Sequence, residues 1–220
     1  MSFKNFCKGV WSYLKRFFYF VWYDNSFLSW VVNVVLAFIL IKFVVYPALG
    51  FALGTDFPIV AVVSGSMEHK VTFNTYLVKY FICGVDFDSK KSLSFDEWWD
   101  VCGFWYLKSN ISKAQFSEFS FSNGFNTGDI IILTSGKNAK ISDVVVFITS
   151  YKPDPIIHRV VRDYSDKFIT KGDHNSDSDD FSEVGSAWKK RVVGKAFIRI
   201  PFLGWIKIWF IDLLHFIGVV

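Results

Sequence analysis

The sequence predicts a mainly β protein: an antiparallel sheet or barrel-like core standing behind one transmembrane helix, with a small helical insertion and a C-terminal apolar helix. Three observations carry that expectation. From Gly128 onward, apolar residues recur with a period of two over 129–134, 143–149, 156–162, 167–171 and 192–200. That is the spacing of strands burying one face. No helical segment alternates with these stretches, which argues against a doubly wound parallel sheet. Ahead of them runs a nearly unbroken apolar stretch, 27–53, longer than the ~20 residues that cross a bilayer.

Residues 1–24 are aromatic and basic, with Lys4, Lys8, Lys15 and Arg16 against a single Asp24. Phe6, Val10, Tyr13, Leu14, Phe17 and Phe18 recur near helical spacing, the pattern of an amphipathic helix lying at a membrane surface. The segment 25–54 reads as a retained anchor. It begins too late and runs too long for the apolar region of a cleaved signal peptide. Asn33, Lys42 and the helix-bending Pro47 are its interruptions, and the Lys42 stem can snorkel toward the headgroups. The basic cluster lies before the anchor, so the positive-inside rule puts the N-terminus in the cytoplasm and the chain beyond Gly54 outside it. The tail, 201–220, is apolar but carries Lys207, Asp212 and His215, which favours an interfacial or partly inserted helix over a second span.

Composition narrows the class. Hydrophobic residues make up 52% of the 220, with 26 Phe and 9 Trp, more apolar surface than a soluble core of this size needs. The net charge of +4 comes with no basic stripe interleaved with aromatics, so a nucleic-acid partner is not indicated. Cys7, Cys83 and Cys102 form neither a Cys-x-x-Cys motif nor a metal-ligand spacing, and no metal or cofactor is expected. Cys83 and Cys102 are free to pair if they face an oxidising compartment.

The extracytoplasmic domain, 55–200, is interrupted at 71–124. Two capping boxes, Ser94-Phe95-Asp96-Glu97 and Ser112-Lys113-Ala114-Gln115, bracket an aromatic run containing Trp98, Trp99, Phe104 and Trp105. Ser and Glu/Gln at that spacing satisfy each other's backbone donors at a helix start, so a small helical insertion is expected. Its aromatic face fits core packing better than a ligand box. Asn110-Ile111-Ser112 is a glycosylation sequon.

Chemistry concentrates at three places. The β-branched run 58–63 ends in Ser64-Gly65-Ser66-Met67, which can hold a hydroxyl at a strand tip. Serine needs a base to act as a nucleophile. His158 lies inside the apolar strand 156–162, sharing a face with Ile156 and Val160, and its ordinary pKa suits general-base work at neutral pH. A histidine needs an orienting acceptor, and the loop Gly172-Asp173-His174-Asn175-Ser176-Asp177-Ser178-Asp179-Asp180 supplies carboxylates. That loop lacks the order and closing Glu of a calcium-binding EF-hand.

In order, Ser64-Gly65-Ser66-Met67-Glu68, Gly128-Asp129-Ile130, 143–147, Ile157-His158-Arg159-Val160, Lys171-Gly172-Asp173 with Asn175, Gly194-Lys195 and Ile200-Pro201 with Leu203-Gly204 resemble the boxes of type I signal peptidases. Histidine at 158, where bacterial members carry lysine, resembles the archaeal and endoplasmic-reticulum branch. The resemblance covers roughly Pro58 to Gly204, apart from the insertion. It implies a membrane-bound serine endopeptidase acting on signal-peptide-bearing precursors at the plasma or endoplasmic-reticulum membrane, with other membrane subunits as possible partners. It matches Ser66 to the nucleophile, Ser64 to an oxyanion donor beside the Ser66 N–H, and His158 to the base. The family's aspartates match Asp173 and one of Asp179 or Asp180. Counting without a gap from Asp173 favours Asp179 as the orienting group, leaving Asp173 to brace the loop through backbone hydrogen bonds. Two departures stand out: His69 occupies a position where proline is common, and the long segment between Met67 and Gly128 is short in many relatives. Two other classes fit the same chain. One is an anchored β-domain that binds peptides or partners without cleaving them, with Ser66 and His158 as packing residues. The other is a serine protease of similar fold with other substrates.

Overall fold

The computed structural model describes residues 3–149, 155–179 and 187–216, so Asp180 and most of the Pro153-Asp154-Pro155 turn lie outside the described residues. The chain divides into two compact units, one ending at Ala52 and one beginning at Leu53.

In the first unit, helix α1 (Phe3–Tyr23) turns at Asp24 and Asn25 into α2 (Phe27–Leu40). Ser26 caps α2, its hydroxyl accepting the Ser29 N–H. Ser29 Oγ donates to the Phe20 carbonyl and Asn33 Nδ2 to the Val21 carbonyl, each at 2.8 Å. Carbonyls in the last turn of a helix lack intrahelical partners, so the polar interruption at Asn33 is satisfied where the apolar run could not do it. The helix then widens over Ile41–Val45 into a π-helical turn before α3 (Tyr46–Leu53). Pro47 explains the widening, because it supplies no N–H and its ring crowds the carbonyl a turn earlier. Lys42 Nζ sits 5.7 Å over the Phe38 ring and 5.5 Å over that of Phe43. Phe27–Leu53 is therefore one continuous helix, apolar and long enough to cross a membrane, as expected.

The second unit is built on seven antiparallel strands: β1 (Ile59–Ala61), β6 (Ile130–Thr134), β7 (Val144–Phe147), β8 (Ile156–Asp163), β9 (Lys167–Lys171), β10 (Ala187–Trp188) and β11 (Val192–Ile200). Their order across the sheet is β1-β6-β11-β7-β8-β9-β10, and every pairing is antiparallel. β11 joins the two halves, with register shifts between Val192 and Gly194 and between Ala196 and Ile198. Bulges bend a strand and strengthen its twist, so the sheet curls around a core of Val62, Met67, Phe125, Leu133, Val146 and Ile157. The fold class read from the sequence holds. Helix α6 (Trp205–Phe216) follows β11, with Ile206, Trp209 and Phe210 exposed on it and Phe202 exposed in the turn before it.

The insertion differs from expectation. Before its helices it forms a second antiparallel sheet of β2 (Lys70–Asn74), β3 (Lys79–Ile82), β4 (Val85–Phe87) and β5 (Lys91–Ser92), in the order β4-β3-β2-β5. It is thus a mixed subdomain rather than a helical one. The helices α4 (Phe95–Lys108) and α5 (Lys113–Ser117) begin at Ser94 and Ser112, both with complete capping boxes. The aromatic face is core: Trp98, Tyr106 and Phe116 are fully buried and pack with Val161 of β8 and Ile169 of β9.

Cys83 and Cys102 form a disulfide that ties the β3–β4 turn to α4. The crosslinked residues are 19 apart in sequence, a loop whose closure entropy corresponds to about 3 kcal/mol. A Cys83→Ser, Cys102→Ser double variant is expected to lose about that much unfolding free energy in denaturant titration; an unchanged midpoint in oxidised samples would contradict it.

Candidate active site

β1 delivers the chain to a tight turn at Ser64–Met67. Met67 is fully buried, and its carbonyl accepts the Phe125 N–H at 3.1 Å. The next side chain, Glu68, is buried as well, its Oε1 accepting the Thr127 N–H at 2.8 Å and pairing with Lys70 Nζ at 2.9 Å. Two buried anchors immediately after Ser66 fix its backbone while its side chain stays half-exposed. Ser64 Oγ lies 3.3 Å from Ser66 Oγ, so the two hydroxyls share one small space.

His158 comes from the middle of β8, opposite Val145 of β7, and is only 6% exposed. Its Nδ1 is 2.6 Å from Asp179 Oδ2. The same oxygen accepts the Thr170 hydroxyl at 2.6 Å, while the Asp179 N–H donates to the Thr170 carbonyl at 2.8 Å. The carboxylate is thus held by β9 and presented to the ring. A neutral imidazole donating at Nδ1 keeps Nε2 as its acceptor.

Nε2 faces Gly172. A β-carbon at 172 would lie 2.9 Å from His158 Nε2 and 2.7 Å from the Ser66 carbonyl oxygen. Glycine is therefore required by close approach, and its α-carbon is flanked by the histidine and the serine main chain together. The Ser66 carbonyl also accepts the His174 N–H at 2.9 Å. Three stretches far apart in sequence converge here: the Ser64–Met67 turn, β8, and the loop after β9.

Asp173 is placed differently from Asp179. It is wholly buried and forms a two-point pair with the equally buried Arg159: Nε to Oδ1 at 3.0 Å and Nη2 to Oδ2 at 2.7 Å. The Tyr106 hydroxyl donates to Oδ1 at 2.8 Å, and His69 Nε2 approaches Oδ2 at 3.3 Å. Burial alone would raise its pKa, but Arg159 and His69 hold it well below the ordinary carboxylate range. Asp173 does brace the loop, yet it does so through side chains, not through the backbone hydrogen bonds expected from the sequence. Burial also lowers the pKa of Lys171, to about 8, with Asp173, Asp179 and Asp177 opposing the shift. His69 and His174 are shifted down by burial too.

Sequence reasoning passed over Arg159, Lys171, Thr170, Gly172 and Tyr106 as individual contributors. A signal existed for two of them. Arg159 sits inside an apolar strand and Lys171 ends another, and a cation there is either buried and paired or misplaced. No group of three His, Cys, Asp or Glu side chains converges on a metal-sized site among the described residues.

No protein-family model matches the chain. Among curated proteins it is similar to the signal peptidase complex catalytic subunit SEC11C of human and of mouse, each 36% identical over 99 residues, 40% of this chain and 52% of the relative. It is also similar to the signal peptidase complex catalytic subunit SEC11 of Lachancea thermotolerans, 35% identical over 101 residues, 41% of this chain and 60% of the relative. The chain thus spans between half and two thirds of the length of the curated relatives it matches.

Proposed function

From this homology to catalytic subunits of the signal peptidase complex, we propose that the chain is a membrane-bound serine endopeptidase that removes signal peptides from exported precursors. The observation that carries the reading is the convergence of Ser66, His158 and Asp179, with the imidazole–carboxylate contact at 2.6 Å. Core packing has no need of a half-exposed serine, a buried histidine and a carboxylate against its ring in one place.

In this mechanism His158 Nε2 takes the Ser66 proton as Ser66 Oγ attacks the scissile carbonyl. The oxyanion forms against the Ser66 N–H and Ser64 Oγ, donors worth about 3 kcal/mol each in comparable sites. Asp179 keeps the His158 proton on Nδ1 and stabilises the imidazolium. The imidazolium protonates the leaving amine, and water activated by the same nitrogen then hydrolyses the acyl-enzyme. Among the described residues β1 has one strand neighbour in the sheet, so its outer edge can receive an extended substrate segment as an added strand leading to Ser66.

The anchor Phe27–Leu53 would hold the enzyme in the membrane, with its N-terminus cytoplasmic and the β unit on the extracytoplasmic or luminal face. The Cys83–Cys102 disulfide supports this orientation, since disulfides persist in oxidising compartments. The relatives are named as subunits of a complex, and we extend that here to further membrane subunits as partners.

The test is an incubation of detergent-solubilised protein with a labelled secretory precursor, mapping the new N-terminus by mass spectrometry. A single cut after small residues beyond the signal's apolar stretch is expected. An intact precursor beside folded, disulfide-bonded protein would instead favour the non-cleaving peptide-binding domain.

A further inference from the structure

The insertion takes no part in the chemistry just described, yet it packs against the loop that carries Gly172. The inner side of that loop meets the catalytic pair, through Gly172 against His158 and the Ser66 carbonyl and through the His174 N–H bonded to the same carbonyl. Its outer side is held almost wholly by insertion residues. Tyr106 of α4 donates its hydroxyl to Asp173. Lys171 Nζ donates to the carbonyls of Gly172 at 3.0 Å and Asn175 at 2.7 Å, and lies 5.3 Å over the Trp105 ring and 5.1 Å over that of Tyr106. Trp105 Nε1 reaches Asp177 Oδ1 at 3.2 Å, and the Cys83 N–H donates to the His174 carbonyl at 2.9 Å. Arg159, the partner of Asp173, is itself clasped by the carbonyls of Ser120 and Phe121, each at 2.8 Å.

Tyr106 is the joint between the two sides. Its hydroxyl holds the carboxylate that follows Gly172 in sequence, and its ring covers the ammonium that precedes it. A buried carboxylate and a buried ammonium stay in place only while their partners are complete. The glycine between them has no side chain of its own to lock it.

We propose that Tyr106, with Trp105, is a positioning residue for the Ser66–His158 pair: through Asp173 and Lys171 the insertion fixes the 172–175 loop against which the pair rests. This rests on the reading that Ser66 and His158 perform the cleavage. The insertion touches the pair's support, so its effect falls on turnover rather than on substrate capture.

The experiment uses full-length protein in detergent micelles and a signal-peptide-derived peptide substrate, with kcat and KM measured separately. Tyr106→Phe keeps the ring and removes the hydroxyl. It is expected to lower kcat about tenfold with KM within about twofold, as a small misplacement of reacting groups does. Trp105→Phe, at a half-buried position, keeps an aromatic face over Lys171 and is expected to lower kcat less, again without moving KM. Melting temperatures monitor folding. Should Tyr106→Phe fold poorly, Trp105→Phe decides alone. Unchanged kcat in a folded variant overturns the inference, as does a loss confined to KM. An inactive wild type would overturn the parent reading instead, and is distinguished by that control.

Discussion

Ser66→Ala is expected to abolish precursor cleavage, a loss on the order of 10⁶-fold by comparison with other serine hydrolases stripped of their nucleophile, while the protein stays folded. The structure explains why activity and folding separate at this position. The Ser66 side chain has one described hydrogen-bond partner, Ser64 Oγ, whereas its backbone is fixed by what surrounds it: the buried Met67 and the His174 N–H on its carbonyl. Alanine leaves all of that intact. Ser64→Ala should behave differently, falling by about 10²–10³ in kcat, because one oxyanion donor is removed and the Ser66 N–H remains. The measurement is precursor turnover beside a melting curve for each variant. Wild-type turnover by Ser66→Ala would end the serine-protease reading, whatever the sequence similarity.

How legible the molecule is from its sequence varies with the range of the forces involved. Strands 130–134, 144–147, 156–163, 167–171 and 192–200 follow from short apolar, β-branched runs bounded by turn residues, a local signal that serves whether the strand buries one face, as β6 does, or both, as β7 does. The starts of α4 and α5 follow from Ser94 and Ser112, whose capping boxes close within three residues. The strands β2 to β5 carry charged and polar residues among few apolar ones, so no apolar run marks them, and the aromatics around them read as helix. The site divides in the same way. Ser66, His158 and the acidic loop stand out as residue types in recognisable surroundings. The support beneath them does not, because Tyr106 is 67 positions from Asp173 and nothing local to either marks the pairing. Lys171 is legible only in part: its place at the end of an apolar strand marks it as a cation to account for, but nothing local shows that Trp105 and Tyr106 arrive from the insertion to cover it.

The acidic loop offers the sharpest remaining contrast. Asp179 and Asp173 are six residues apart, and the geometry gives them different partners. Asp179 is partly exposed and meets the His158 ring; Asp173 is wholly buried and meets Arg159. Asp179→Asn preserves shape but offers an amide where Nδ1 needs an acceptor. The ring then carries its proton on Nε2 and cannot accept the one from Ser66. The expected result is a loss of about 10⁴-fold in kcat with little change in thermal stability, because a partly exposed position tolerates the swap. Asp173→Asn should lose mainly stability, with a fall in kcat of about tenfold from the loosened 172–175 loop. It leaves the histidine tautomer untouched but strands the Arg159 charge in the interior, which costs on the order of 3 kcal/mol of stability. Thr170→Ala removes one donor to the Asp179 carboxylate and should cause a smaller loss of the same kind as Asp179→Asn. Asp180→Asn is expected to cleave close to normally, since Asp179 already meets the ring. Turnover and melting temperature, measured side by side on all four variants, separate these roles. If Asp180→Asn is dead while Asp179→Asn cleaves normally, the orienting carboxylate has been assigned to the wrong neighbour.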